Sequence, residues 1–287
     1  MLTRICTALV LIAAVLAWLF KADYAIYAMG CLLMYSVGAY EMGPLLGYRS
    51  RIPFLLIAAA AAVLSFIAVN NPGNFIVSGI PDVAQYLVLS SLIVWIGALP
   101  LLLKFPKDTK WHQNIVLTTI LGILLLVPFL IGLLILRASE YSQDQNAGAL
   151  LVLSVMALVW CADSGAYFTG RFLGSHKMLP NVSPKKTMEG LAGGIITALI
   201  GMFVFDYLGW FGQYADNTAA LYTAGVITIL FSVVGDLVES MLKRLAGIKD
   251  SGKIFPGHGG MLDRIDSQLA AIPVFLTTIW IVSGELF

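Results

Sequence analysis

Charge is what this sequence has least of. Asp, Glu, Lys and Arg make up 11% of its 287 residues, and 59% are hydrophobic. A soluble domain has about a quarter charged residues and about half apolar, so the composition excludes a water-borne globule and points to a membrane protein. Cysteine is scarce as well: Cys6, Cys31 and Cys161 stand singly in apolar runs without C-x-x-C spacing. They read as small buried hydrophobes, not as a disulfide or metal site. Of the three histidines, His112 and His176 read as lone surface loop residues. G-x-x-x-x-G-K-[ST], H-E-x-x-H and G-x-S-x-G are all missing, which removes the P-loop, zinc-hydrolase and serine-hydrolase readings. Internal repeats, low-complexity tracts and any polar stretch long enough for a soluble domain are missing too. The net charge of +1 says nothing of partners; only its distribution can, and no nucleic-acid partner is expected.

Long apolar runs are abundant. A helix needs about 20 apolar residues to span the hydrocarbon layer, and such runs fall at 5–20, 24–40, 52–70, 83–103, 114–136, 148–169, 190–209, 218–238 and 267–284. The first, preceded by Arg4, has a signal peptide's outline, but Lys21 to Ala25 lacks an A-x-A cleavage pattern, so an uncleaved helix is expected. With the N-terminus inside, all of the 17 Lys and Arg except Lys21 and Arg137 fall on the cytoplasmic side, as the positive-inside rule requires. The expectation is an all-α, polytopic integral membrane protein of about nine transmembrane helices with a cytoplasmic N-terminus. Residues 1–140 form its N-terminal transmembrane helices, and 141–287 form a catalytic transmembrane region with cytoplasmic loops.

The scarce charge is concentrated. Asp236 to Asp266 holds ten charged residues. Asp236, Glu239, Ser240 and Lys243 share one helical face by i, i+3, i+4, i+7 spacing, and Asp263 and Asp266 open the last apolar helix. Two helix ends offering carboxylates to one interface can hold a hard cation such as Mg²⁺. Between them lie Lys243, Arg244, Lys249, Lys253 and Arg264, with the turn Pro256-Gly257-His258-Gly259-Gly260, whose glycines let backbone N–H groups approach an oxyanion. Carboxylates for a metal, cations for phosphates and a glycine turn are what phosphoryl or nucleotidyl transfer requires; a merely charge-paired loop would not need the His-Gly-Gly.

Two further clusters share the cytoplasmic side. In Ser183-Pro184-Lys185-Lys186-Thr187, Ser183 reads as an N-cap with Pro184 at the first helical position. Lys185 and Lys186 then fall in a first turn, where cations are disfavoured unless an anion sits among them. The positive-inside rule explains the lysine pair but not the cap. Asp163, Ala166, Tyr167 and Gly170 share a face whose small residues admit a neighbouring backbone. Asp163 itself reads equally as a structural salt bridge and as part of a site.

The pattern Ser240-x-x-Lys243-Arg244-x₄-Lys249-Asp250-x-Gly252, then Pro256-x-His258-Gly259-Gly260-x-x-Asp263-Arg264-x-Asp266, resembles the signature of the phosphatidate cytidylyltransferases (CDP-diacylglycerol synthases). The Asp163 and Ser183 stretches resemble that family too, so the likeness covers about residues 160–267. The resemblance implies a multi-pass enzyme of the bacterial inner membrane, dimeric, with its active site facing the cytoplasm. It implies formation of CDP-diacylglycerol and diphosphate from CTP and phosphatidate, for phospholipid biosynthesis. Asp236 and Asp263 would be metal carboxylates for Mg²⁺, with K⁺ as an accompanying ion, and Asp266 and Glu239 supporting or alternative ligands. Lys185, Lys186, Lys243, Arg244, Lys249 and Arg264 would clamp phosphates, Ser183 and Ser240 would lie in the substrate site, and His258, Gly259 and Gly260 would form a phosphate-facing turn. A lipid kinase or CDP-alcohol phosphotransferase is a competing enzyme reading, though the spaced D-G-x₂-A-R pattern of the latter is missing. A transporter is the reading from another class, disfavoured because the carboxylates cluster at one surface beside a basic loop.

Overall fold

The computed structural model describes residues 2–255 and 259–284, with side chains described from residue 12 onward. Eleven α-helices follow in order: α1 Leu2–Lys21, α2 Tyr24–Leu45, α3 Ile52–Ala68, the short α4 Phe75–Ser78, α5 Asp82–Leu89, α6 Ser91–Lys104, α7 Ile115–Ala138, α8 Ala147–Phe172, α9 Met188–Tyr207, α10 Thr218–Leu245 and α11 Leu262–Ser283. Two short strands, β1 Lys177–Leu179 and β2 Ser183–Thr187, pair antiparallel between α8 and α9. Each expected apolar run is helical. Among the described residues, six helical stretches are long and apolar enough to cross a membrane: Asp82–Lys104, α7, α8, α9, α10 and α11. A seventh forms if Ile52–Ala68 and Pro72–Ser78, bent by 40°, count as one span.

Polar residues at helix starts satisfy the first free N–H groups. The Asp23 carboxylate accepts from Ile26 N–H at 2.8 Å, Asn114 from Val116 and Leu117, and Asn217 from Ala220. The Ser183 cap is not found. Residues 183–187 are strand, Leu179 pairs with Ser183 and Lys177 with Thr187, and α9 begins at Met188 with the Thr187 hydroxyl accepting from Gly190 N–H at 3.1 Å. The physical reason is that a residue before proline is pushed to extended backbone, and proline is tolerated on the open edge of a hairpin. Lys185 and Lys186 therefore precede the helix, whose first turn carries Glu189 and no cation.

Helix packing follows small residues, because lipid tails are as apolar as the side chains and give no hydrophobic drive between spans. Where α8 meets α9, a β-carbon on Gly193 would overlap Thr169, and one on Gly194 would lie 2.7 Å from the Ala162 carbonyl oxygen. The expected small-residue face of α8 is met by Gly190, whose β-carbon would lie 3.0 Å from the Ala166 carbonyl oxygen and 3.4 Å from Gly170 Cα. Gly235 does the same for α10 and α11: a β-carbon there would lie 2.7 Å from Asp266 O. The hub is α11, 83% buried over its apolar stretch against 28% for α9. It packs on α10, α7, α8 and α2, so the N-terminal helices brace the helix that opens with Asp263 and Asp266.

Candidate active site

Three elements converge at one end of the bundle: the last turns of α10, the first turns of α11, and β2. Asp236, Ser240 and Lys243 line one face of α10, as their spacing requires. Ser240 Oγ donates to Asp236 Oδ1 at 3.2 Å. Lys186, projecting from β2, pairs with Asp236 Oδ2 at 2.6 Å. Lys243 pairs with Glu239 one turn back and with Asp263 Oδ1 at 2.8 Å across the α10–α11 contact. One ammonium thus joins two carboxylates from different helices.

Asp263 is held tightly. Its Oδ2 accepts from Ser251 N–H at 3.0 Å and from Gly260 N–H at 2.7 Å, with Ser251 Oγ also 3.0 Å away. Gly259 takes φ +82° and bridges to Phe255, a left-handed conformation that glycine adopts without strain. Gly260 therefore directs its N–H at the Asp263 carboxylate in the first turn of α11. His258, Pro256 and Gly257 lie outside the described residues. Asp266 lies one turn along α11, partly exposed, with its Oδ1 accepting from Ser267 N–H at 2.7 Å and with Asp236, Lys243 and Lys186 in electrostatic range.

Beside this cluster opens a cavity of about 480 Å³ between α8, α9, α10 and β2. Asp163, Arg171, Lys185, Lys186 and Asp236 supply its polar end, and Ile195, Ile229, Val233 and Leu191 are among its apolar lining. Asp163, undecided in sequence, faces this cavity together with Lys186 and Asp236. The remaining candidates are more peripheral. Arg244 is exposed and directs Nε to Val182 O at 3.4 Å; Lys249 and Arg264 are exposed, the latter in electrostatic range of Asp163. Ser183 opens β2 and does not line the cavity.

Sequence reasoning passed over Arg171 and Ser251. Arg171 follows Asp163 by eight residues on α8, a helical repeat that brings it to the same side, and its Nη1 donates to Tyr167 Oη at 3.0 Å. Ser251 lies within the signature stretch, but nothing in its neighbours distinguishes it from a loop serine.

Among the described residues, no three of the His, Cys, Asp and Glu side chains converge as a ready cage for a metal ion. Asp263 is occupied by Lys243, Ser251 and Gly260. Asp236 and Asp266 are brought together where Gly235 lets α10 touch α11. Such a donor set suits a small hard cation that takes one or two carboxylates and completes its shell with water and substrate phosphates, as Mg²⁺ does.

The Cytidylyltransferase family matches residues 2–282 of the chain. Over 278 residues the chain is 39% identical to the phosphatidate cytidylyltransferase of Haemophilus influenzae, covering 95% of this chain and 96% of that protein. It is 38% identical over 277 residues to the Pseudomonas aeruginosa protein of the same name, covering 96% of each chain. With the Bacillus subtilis protein of that name the identity is 31% over 272 residues, 95% of this chain and 93% of the relative.

Proposed function

The chain belongs to the Cytidylyltransferase family, and we propose that it transfers a cytidylyl group from CTP to phosphatidate, giving CDP-diacylglycerol and diphosphate for phospholipid biosynthesis. The observation that carries this reading is the cavity: its apolar wall lies between helices and its polar end holds Asp163, Lys186 and Asp236 beside the Lys243–Asp263 pair. A lipid phosphate with its acyl chains in the bilayer and a nucleotide from water can meet at such a place.

The phosphatidate phosphate attacks the α-phosphorus of CTP in line; a P–O bond forms there as the bond to diphosphate breaks. A phosphate monoester has its second pKa near ~6 by analogy with phosphoserine, so the nucleophile is anionic at neutral pH and needs no general base. The larger barrier is bringing two polyanions together. Lys185, Lys186 and Arg171 face the lipid phosphate from the cavity, and Lys243, Arg244, Lys249 and Arg264 surround the nucleotide phosphates, stabilising the charge that builds on the leaving group. Ser240 holds Asp236 in place, Gly260 holds Asp263 through its N–H, and His258 and Gly259 are proposed to meet phosphate. Asp236 and Asp266 would hold Mg²⁺, with Asp263 available to it on exchange of Lys243; the ion supplies Lewis-acid charge neutralisation. A monovalent ion such as K⁺ is proposed beside it.

The finer topology belongs to the same proposal: nine spans, a cytoplasmic N-terminus, an inner-membrane location with the site facing the cytoplasm, and a homodimer. The positive-inside distribution supports the orientation. In the decisive experiment, purified protein receives CTP labelled at the α- or γ-phosphate, with phosphatidate and Mg²⁺. The α-label is expected in lipid and the γ-label in released diphosphate; γ-label in lipid would make the protein a kinase, and no diphosphate release would remove the transferase reading.

A further inference from the structure

Glu41 lies in α2, far in sequence from every motif above, yet its side chain reaches the loop that holds Asp263. It is fully buried, an expensive place for a carboxylate unless donors meet it. Its Oε2 accepts from Leu262 N–H at 2.8 Å and from Ser251 Oγ at 3.0 Å; Oε1 has no hydrogen-bond partner among the described residues. Leu262 opens α11, and Met261 before it offers no side-chain cap. A carboxylate from another helix therefore takes the place of the missing cap, where a negative charge is favoured by the helix dipole.

The glycines around it have a matching reason. A β-carbon on Gly252 or on Gly260 would overlap the Glu41 carboxylate, and one on Gly260 would also overlap Ser251 Oγ. Both belong to the signature pattern, and both leave the space that this side chain fills. The same strand of loop is gripped a second time from the N-terminal half: Arg51, stacked over Tyr40, donates from Nη2 to Ser251 O at 3.1 Å. Ser251 is thus fixed at its hydroxyl and its carbonyl. Its N–H is left aimed at Asp263 Oδ2. Because that oxygen already receives two N–H donors, the single hydroxyl hydrogen of Ser251 serves Glu41.

We propose that Glu41 is a positioning residue for the transfer reaction: by accepting hydrogen bonds from Ser251 and Leu262 it fixes the loop and the first turn of α11, and through them the Asp263 carboxylate. The proposal rests on the cytidylyl-transfer reading. It concerns geometry, and it requires an acceptor oxygen at this position more than it requires a charge.

The test uses the full chain in detergent, with diphosphate release from CTP and phosphatidate as the readout. Glu41→Leu, which keeps bulk but loses the acceptor, is expected to lower kcat about 10- to 100-fold with both KM values nearly unchanged. Glu41→Gln, which keeps one acceptor oxygen, should restore most of kcat. Ser251→Ala should lose part of it, and the Glu41→Leu/Ser251→Ala pair should be no worse than Glu41→Leu alone, as for residues that act in series. Wild-type kcat in Glu41→Leu, equal impairment in Gln and Leu, or additive losses in the pair would overturn the proposal. Should Glu41→Leu not accumulate, hydrogen exchange of the 249–262 segment decides the matter in Ser251→Ala and Glu41→Gln. Faster exchange is expected in Ser251→Ala with near-native exchange in Glu41→Gln; unchanged exchange in Ser251→Ala overturns it. Exchange needs no turnover, so a wild-type protein inactive on CTP would reject the transferase reading while the role of Glu41 in holding the loop is still decided.

Discussion

Lys243 governs the electrostatics of the cluster. Its side chain is 14% exposed and joins Glu239, 4% exposed, to Asp263. Removing the ammonium leaves a buried carboxylate without its partner, which typically costs about 3–5 kcal/mol, whereas removing both charges is near neutral. Lys243→Met is therefore expected to lower the thermal midpoint strongly, and adding Glu239→Leu should recover most of it without recovering activity. Equal midpoints in the single and double variants would show that the pair is not a stability device. Asp236 behaves differently, being half-exposed and paired with Lys186 at the cavity edge. Asp236→Asn should leave the midpoint close to wild type and lower Mg²⁺-dependent kcat by about 100-fold or more, the range seen when one electrostatic stabiliser is lost. Turnover near wild type in that variant would remove Asp236 from the reaction. The carboxylates and cations of this cluster are legible in sequence because their spacing places them at helix ends on one end of the bundle. Asp163 stays undecided in sequence, because its place beside Lys186 and Asp236 depends on β2 reaching α8, a nearness of segments with no local signature.

At the scale of elements, the α8–α9 pair forms two walls of the cavity, and its closeness rests on glycine. A side chain at Gly194 would meet the Ala162 backbone oxygen at 2.7 Å, and a carbonyl inside a helix cannot rotate away. Gly194→Val is expected to destabilise by about 1–3 kcal/mol, the usual range for overpacking, and to lower kcat/KM for phosphatidate more than the apparent affinity for CTP. Thermal denaturation and paired substrate titrations check both effects. The β1–β2 hairpin is the element that sequence misread. Ser-Pro is a fair helix-start signal, but Thr187 is an equally good cap four residues later, and only the pairing with β1 decides between them. Thr187→Ala should cost about 1 kcal/mol, a typical loss for an N-cap, read from the thermal midpoint.

For the whole molecule, the division into residues 1–140 and 141–287 is a division of motif content. Packing crosses it. The start of α11 is held by Glu41 and the loop before it by Arg51, and the length of α11 is packed against α7 and α2. Residues 141–287 produced alone are expected to lack diphosphate release, and co-production with residues 1–140 should restore a measurable share; full activity in the C-terminal part alone would show that the N-terminal helices are dispensable. Hydropathy, charge asymmetry and helical spacing are properties of neighbouring residues, so the apolar class, the helical segments and the gathering of charge at the ends of α10 and α11 could all be read along the chain. The two-helix reach of Lys243, the turn of β2 that delivers Lys186, and the burial of Glu41 against Ser251 and Leu262 join residues up to 221 positions apart. Those were decided by packing alone, because contact between distant segments depends on which helix faces meet, and no local pattern records that.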